Sequence, residues 1–258
     1  MTSEAFCGDC LDFMATLPDE CVDLTVTSPP YDNIRDYNGY SFDWKSTIMQ
    51  LYRITKRGGV VVWVVADQTT NGSESGTSFR QALHAMECGF NLHDTMIWNK
   101  GECSFPDSNR YLGCFEFMFV WSKGQPKTVN FLCDRPNTWA GTKAHGTWRQ
   151  KNGDMIQRPI GQTYAEFGRR FNIWSLPSEK RNTTGHPAVF PLRLAKDHIV
   201  SWSNEGDTVF DPFLGSGTTR IAAYDLRRDF MGCEISKDYF DAQERRFAEH
   251  SAQTRMEL

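Results

Sequence analysis

Thr208-Val209-Phe210-Asp211-Pro212-Phe213-Leu214-Gly215-Ser216-Gly217-Thr218-Thr219 is the stretch that decides the fold. Its β-prone start, Thr208 to Phe210, reads as a strand, the glycines as a sharp turn, and Thr218 to about Leu226 as a helix. A further strand, Asp229 to Cys233, brings Glu234 to its end. Glycines at the carboxyl end of a strand let the backbone turn tightly and approach a ligand. The spacing is not the G-x-G-x-x-G of a dinucleotide site, and the lysine of a phosphate loop is missing. Asp211, just before the turn, would repel phosphate but attract a cationic amino group. Glu234, about fifteen residues past the turn, stands where a carboxylate can accept hydrogen bonds from ribose hydroxyls. A ribose joined to a cationic amino acid tail, as in S-adenosylmethionine, suits both acids. A purely structural tight turn is the competing account.

Outward from that stretch, Val22 to Thr27 is a short β-rich run stopped by Ser28-Pro29-Pro30. Ser46 to Lys56 has helical spacing at Ile48, Leu51, Tyr52 and Ile54, with Gly58-Gly59 as the expected terminator. Val60 to Val65 reads as a buried central strand, Thr77 to Cys88 as a helix closed by Gly89, and Leu92 to Trp98 and Phe115 to Trp121 as strands. From Lys123 to about Pro177 no long periodic element is visible, and an irregular stretch of that length inside a domain is usually functional. A helix around Pro191 to Ser203 restores order. Strands alternating with helices predict an α/β fold, a mostly parallel sheet with helices on both faces.

Thr27-Ser28-Pro29-Pro30-Tyr31 ends the Val22 strand. The two prolines donate no backbone bonds but keep free carbonyl acceptors; Ser28 adds a hydroxyl and Tyr31 a flat ring. Together they can clamp an amino group and stack on its heterocycle. A rigid Pro-Pro turn with a core tyrosine explains the same letters.

The chain has 258 residues, 40% of them hydrophobic, enough for one α/β domain with an insertion. It opens without a basic segment and apolar run, and Val60 to Ala66 is too short to cross a bilayer, so a cytoplasmic location without membrane contact is expected. The eight cysteines are expected as thiols. Cys7 and Cys10 form a C-x-x-C with no second pair at zinc-ligand spacing, so no metal is expected. The net charge of -4 hides an asymmetry: Arg135 to Arg181 holds nine Lys/Arg against three acids. A local basic face on an acidic body suits a partner such as DNA, although a solvated loop accounts for it too.

The two cassettes together resemble the amino-methyltransferases of restriction-modification systems and phages, whose signatures are Asp, Asn or Ser before Pro-Pro-aromatic, and D-P-F-x-G-S-G-T-T. Gly8-Asp9-Cys10-Leu11 with Leu17-Pro18-Asp19, Arg57-Gly58-Gly59, Trp98-Asn99-Lys100, Glu116 through Trp121-Ser122-Lys123, and His186-Pro187 with Phe190-Pro191 resemble further family segments. The catalytic cassette precedes the glycine cassette, as in the permuted β-type order.

The resemblance implies a class I methyltransferase fold over 1–258, with a target-recognition insertion at about 124–182. It implies catalysis by Ser28, Pro29, Pro30 and Tyr31 on a flipped base in double-stranded DNA. S-adenosylmethionine would be held by Asp9, His186, Pro187, Asp211, Phe213, Gly215, Ser216, Gly217, Thr218, Thr219 and Glu234. The mixed basic and aromatic insertion offers Lys143, His145, Trp148, Arg149, Lys151, Arg158, Arg169 and Arg170 as DNA contacts, with Trp139 beside them; each can equally serve packing or phosphate contact. No cysteine follows the prolines, which argues against a thiolate route to cytosine C5. Ser28 is the letter common in cytosine N4 enzymes, whereas Tyr31 to Tyr40 looks more like adenine-acting members; adenine N6 is the expected target. Because the sequence runs about twenty-five residues past Glu234, no appended C-terminal DNA-binding domain is expected. Family members are often dimers, so a homodimer is a further expectation. A methyltransferase acting on RNA, protein or a small molecule, and a non-enzymatic nucleotide-sensing or DNA-binding protein, are the alternatives.

Overall fold

The computed structural model describes residues 2–30, 42–101, 108–143, 146–157, 161, 163–178 and 191–256. They form two compact units, one of residues 1–130 with 172–258 and one of 131–171. The larger unit is built on an eight-stranded sheet. Its strands in chain order are β1 (Ser3–Cys7), β2 (Val22–Thr27), β3 (Thr55–Val65), β4 (Asn91–Asn99), β5 (Phe115–Ser122), β6 (Ile173–Ser175), β7 (Thr208–Asp211) and β8 (Asp229–Glu234). The spatial order is β1-β8-β7-β2-β3-β5-β4-β6. All neighbours are parallel except β5, which runs antiparallel to both β3 and β4.

The helices are α1 (Cys10–Thr16), α2 (Trp44–Ile54), α3 (Thr77–Glu87), α4 (Leu192–Trp202), α5 (Thr218–Asp225) and α6 (Lys237–Met256). Val60 to Val65 are all at most 1% exposed, so β3 is covered on both faces. Because side chains alternate across a strand, Val61, Trp63 and Val65 enter one cluster with Ile48, Leu51, Ile54 and Ala85, from α2 and α3. The other face meets α4, whose fully buried His198 Nε2 lies 3.3 Å from Met118 Sδ on β5.

The predicted elements are present, with one correction at Gly58-Gly59. Helix α2 ends at Ile54, and both glycines lie inside β3. The expected glycine cap is replaced by Lys123, whose Nζ donates to the carbonyls of Tyr52 and Thr55, both at 2.9 Å. The glycines answer a different need: β2 and β3 slip register between Thr55 and Val60. A Cβ on Gly58 would stand 2.8 Å from Lys127 Cβ, and one on Gly59 2.9 Å from the Asp23 carbonyl.

The smaller unit holds two antiparallel ribbons, Arg135–Pro136 with Phe167–Gly168 and Thr147–Arg149 with Met155–Gln157. The irregular stretch is therefore narrower as a compact body than 124–182, because Ile173–Ser175 pairs with β4 in the main sheet.

Candidate active site

Four neighbouring parallel strands end on one rim. Cys7 is in register with Glu234, Asp211 with Gly232, and Phe210 with Thr25. The segments after β1, β8, β7 and β2 thus meet along the carboxyl edge of the sheet, where open α/β sheets bind ligands.

The two cassettes, far apart in sequence, touch there. Thr27 Oγ1, the last residue of β2, donates to Asp211 Oδ1 at 2.7 Å, and both residues are buried. Phe213 N donates to the same oxygen at 3.0 Å, which folds the chain back after Pro212. Thr219 Oγ1 reaches the Val26 carbonyl at 3.2 Å, pinning the first turn of α5 to β2. Gly217 adopts φ 78° at the N-cap of α5, a left-handed conformation that favours glycine.

Glu234 organises the other side of the turn. Its Oε2 accepts from Gly215 N at 2.8 Å and its Oε1 from Ser236 N at 2.9 Å. A carboxylate offers about four acceptor positions, so each oxygen retains capacity for another donor. Asp9 caps α1 by accepting from Leu11 N at 2.7 Å. Phe213 meets Phe42 edge-on at 4.9 Å and seats the turn on the core. Pro29 is buried, Ser28 and Pro30 half-buried. Tyr31, His186, Pro187, His145 and Arg158 lie outside the described residues.

Both acids are held in an unusual electrostatic state. Burial pushes Asp211 up to about 6 despite the hydrogen bonds from Thr27 Oγ1 and Phe213 N, and Glu234 nearby adds to the rise. Burial also raises Glu234. Among the described residues no cationic side chain pairs with either. Two buried carboxylates without a counter-charge make a place that favours a cation.

A DNA methylase family of N6 and N4 methyltransferases matches residues 22–245. The chain belongs to that family.

Similar proteins agree. The orphan methyltransferase M.BamHII of Bacillus amyloliquefaciens is 56% identical over 228 residues, covering 85% of this methylase and 86% of the relative. The type II beta methyltransferase M.BslI of a Bacillus species is 28% identical over 91% of the chain, which spans 26% of that longer protein. Among solved structures, the cytosine-N4-specific PvuII DNA methyltransferase superposes with a TM-score of 0.73 at 19% identity, covering 96% of this chain and 86% of that one. A DNA modification methylase of Thermus thermophilus, described as putative and solved with S-adenosyl-L-methionine, gives 0.67 at 24% identity and covers 96% and 94%.

Some supports of the methylase's rim had no signal in the sequence. Arg246, on α6, donates from Nη1 to the Ser216 carbonyl at 2.7 Å and so holds the glycine turn from behind. Gly232 lets β8 pass Asp211, since a Cβ there would lie 2.9 Å from the Asp211 carbonyl. Thr27 could have been found, because it ends the strand next to the one that ends in Asp211.

In the smaller unit, Arg169 lies over the Phe131 ring at 4.0 Å and Arg170 pairs with Asp134. Both cations expected at DNA are thus engaged within the unit. Lys143, Trp148, Arg149 and Lys151 are exposed.

Proposed function

We propose that the protein transfers the methyl group of S-adenosylmethionine to an exocyclic amino group of a flipped base in a specific sequence of double-stranded DNA, with adenine N6 as the target. The observation that supports this is the 2.7 Å bond from Thr27 to Asp211, which joins the amino-clamp segment to the glycine turn. The residues fit the cofactor: its ammonium group suits the buried carboxylate of Asp211, and its ribose hydroxyls can donate to Glu234. S-adenosylmethionine supplies an electrophilic methyl group on a sulfonium.

Ser28 Oγ and the Pro29 carbonyl would accept hydrogen bonds from the two N–H groups of the target amino group, and one of these protons leaves to solvent as the nitrogen is methylated. The two bonds aim the nitrogen at the methyl and favour its rehybridisation, so positioning and fixed dipoles carry the acceleration. Extruding the base costs a few kcal/mol. Stacking on Tyr31 returns about 1–3 kcal/mol. Asp9 would hold the cofactor's adenine amino group, and His186, Pro187 and Phe213 would hold its methionine part. Lys143, His145, Trp148, Arg149, Lys151, Arg158, Arg169 and Arg170 belong to the DNA-facing insertion, the target-recognition region.

A second reading, cytosine N4, is favoured by Ser28, a hydroxyl where adenine enzymes usually carry a carboxylate. Incubating the protein with methyl-labelled cofactor and unmethylated duplex DNA, then digesting to nucleosides, tests both. Label in N6-methyladenine is the expected outcome, and label in N4-methylcytosine selects the second reading. Label in protein alone, or none at all, rejects both.

Cofactor affinity should depend on pH through Asp211. A carboxylate whose folded value is raised gives stability that is present below its unfolded value and lost as pH rises through about 6. The charged form above that point is the one that attracts an ammonium group. Calorimetric titration should therefore show weaker S-adenosylmethionine binding at pH 5 than near neutrality, with the midpoint moving below 6 as the cofactor stabilises the charge. Asp211→Asn should flatten the profile; an unchanged slope would assign the pH dependence elsewhere.

A further inference from the structure

The unit 131–171 carries seven Lys/Arg against three Asp/Glu. Its two ribbons differ in how their side chains are used. Around Arg135–Pro136 and Phe167–Gly168 the side chains serve the unit itself: Arg135 Nε donates to the Arg169 carbonyl at 3.0 Å, and Asn137 Nδ2 to that of Ala165 at 2.8 Å.

The Thr147–Arg149 and Met155–Gln157 ribbon is different. Thr147 opposes Gln157, Trp148 opposes Ile156, and Arg149 opposes Met155. Alternation therefore gathers Thr147, Arg149, Met155 and Gln157 on one face, and all four are exposed. On the opposite face Ile156 is half-buried and Trp148, across from it, is exposed. The connecting turn is closed by Gln150 N on the Asp154 carbonyl at 2.7 Å, and Asn152 Nδ2 donates to Asp154 Oδ2 at 2.8 Å. The ribbon's one acid is thereby tied to its own turn, while Arg149 and Lys151 have no ion pair among the described residues.

Building on the amino-methyltransferase reading above, we infer that this face of the ribbon is the sequence-reading element, laid in the major groove of duplex DNA, with Arg149 and Gln157 reading base edges and Lys151 anchoring to phosphate. A two-stranded ribbon fits the major groove of B-DNA, whereas the narrow major groove of A-form RNA excludes it. The guanidinium fork of Arg149 matches guanine O6 and N7, and the amide of Gln157 matches adenine N6 and N7. Met155 and the Thr147 methyl offer apolar contact to thymine. Arg149 and Gln157 are diagonal neighbours across the ribbon, about 7–8 Å apart. That separation is roughly two base-pair steps at about 3.4 Å each. The recognition sequence would then hold a guanine and an adenine about two positions apart.

The test incubates the full chain and its Arg149→Ala, Arg149→Lys, Gln157→Ala and Lys151→Ala variants with S-adenosylmethionine and a randomised duplex pool. Sequences of the retained duplexes and of the methylated ones are then read. Both arginine variants should lose preference at one guanine position, and Gln157→Ala at one adenine position, each by about tenfold or more. Arg149→Lys keeps the charge but not the fork, so it separates base reading from phosphate contact. Lys151→Ala should weaken retention of all duplexes evenly and lower the salt slope by about one. If wild type methylates a sharp motif that the Arg149 and Gln157 variants keep, losing only overall retention, the ribbon assignment is wrong while the enzyme reading stands. In a parallel binding assay, retention of single-stranded RNA over duplex DNA also overturns it. Should wild type retain no motif and methylate no duplex, the enzyme reading falls and the ribbon assignment with it.

Discussion

Asparagine in place of Asp211 should weaken S-adenosylmethionine binding by roughly 10- to 150-fold, the equivalent of about 1.5–3 kcal/mol for a hydrogen bond to a charged group. The substitution keeps shape and keeps an oxygen for Thr27 Oγ1 and Phe213 N, which donate at 2.7 and 3.0 Å. The charge disappears, and the other carboxylate oxygen becomes an NH2 donor that no ammonium group can use. Because burial holds the free carboxylate at about 6, its ionised form is a burden on the unliganded fold near neutral pH. The melting temperature of the free variant should therefore hold or rise while cofactor affinity falls. Alanine would not separate these effects, since it leaves the buried Thr27 hydroxyl without its acceptor, at a cost of about 1–3 kcal/mol. Calorimetry and thermal unfolding on the same preparation decide the matter: a Kd within threefold of wild type would remove Asp211 from the ammonium site.

Tyr31→Ala should slow methyl transfer by roughly 5- to 150-fold, matching the loss of about 1–3 kcal/mol of base stacking. Its effect should sit in the turnover of bound DNA, with cofactor affinity unchanged. Tyr31→Phe and Tyr31→Trp retain a ring and should recover most of the rate. Single-turnover kinetics with saturating cofactor gives the rate, and a fluorescent base analogue at the target position reports extrusion. Equal losses in methyl transfer and cofactor binding would mean that the ring supports the fold rather than the base.

Much of this architecture was legible because each signal was local. The continuous apolar run that buries Val60 to Val65 on both faces, the Pro191 start of α4 and the strand–turn–helix around Asp211 all read directly from short windows. The site residues were legible as types in two cassettes, and family resemblance supplied the roles proposed for them. What escaped was set by partners far along the chain. Gly58-Gly59 looked like a helix terminator because the side chain that caps α2, Lys123, arrives from just past the end of β5. The antiparallel course of β5 depends on connection geometry that hydrophobic pattern does not encode. β1 and α1 are too short for a periodic signal, and α6 is mostly polar. The partners of Arg169 and Arg170, Phe131 and Asp134, stand almost forty positions earlier, beyond any short window.

The sheet order also has a consequence for synthesis. β7 inserts beside β2, so Thr27 waits for a partner 184 residues downstream. At ribosomal rates of about 5–20 residues per second that interval lasts roughly 10 to 40 s. Throughout it, one edge of the β2 strand, with its wholly apolar Val22, Leu24 and Val26, has no neighbour. Nascent chains are then most exposed to mispairing and chaperone capture just before the cofactor half of the sheet emerges.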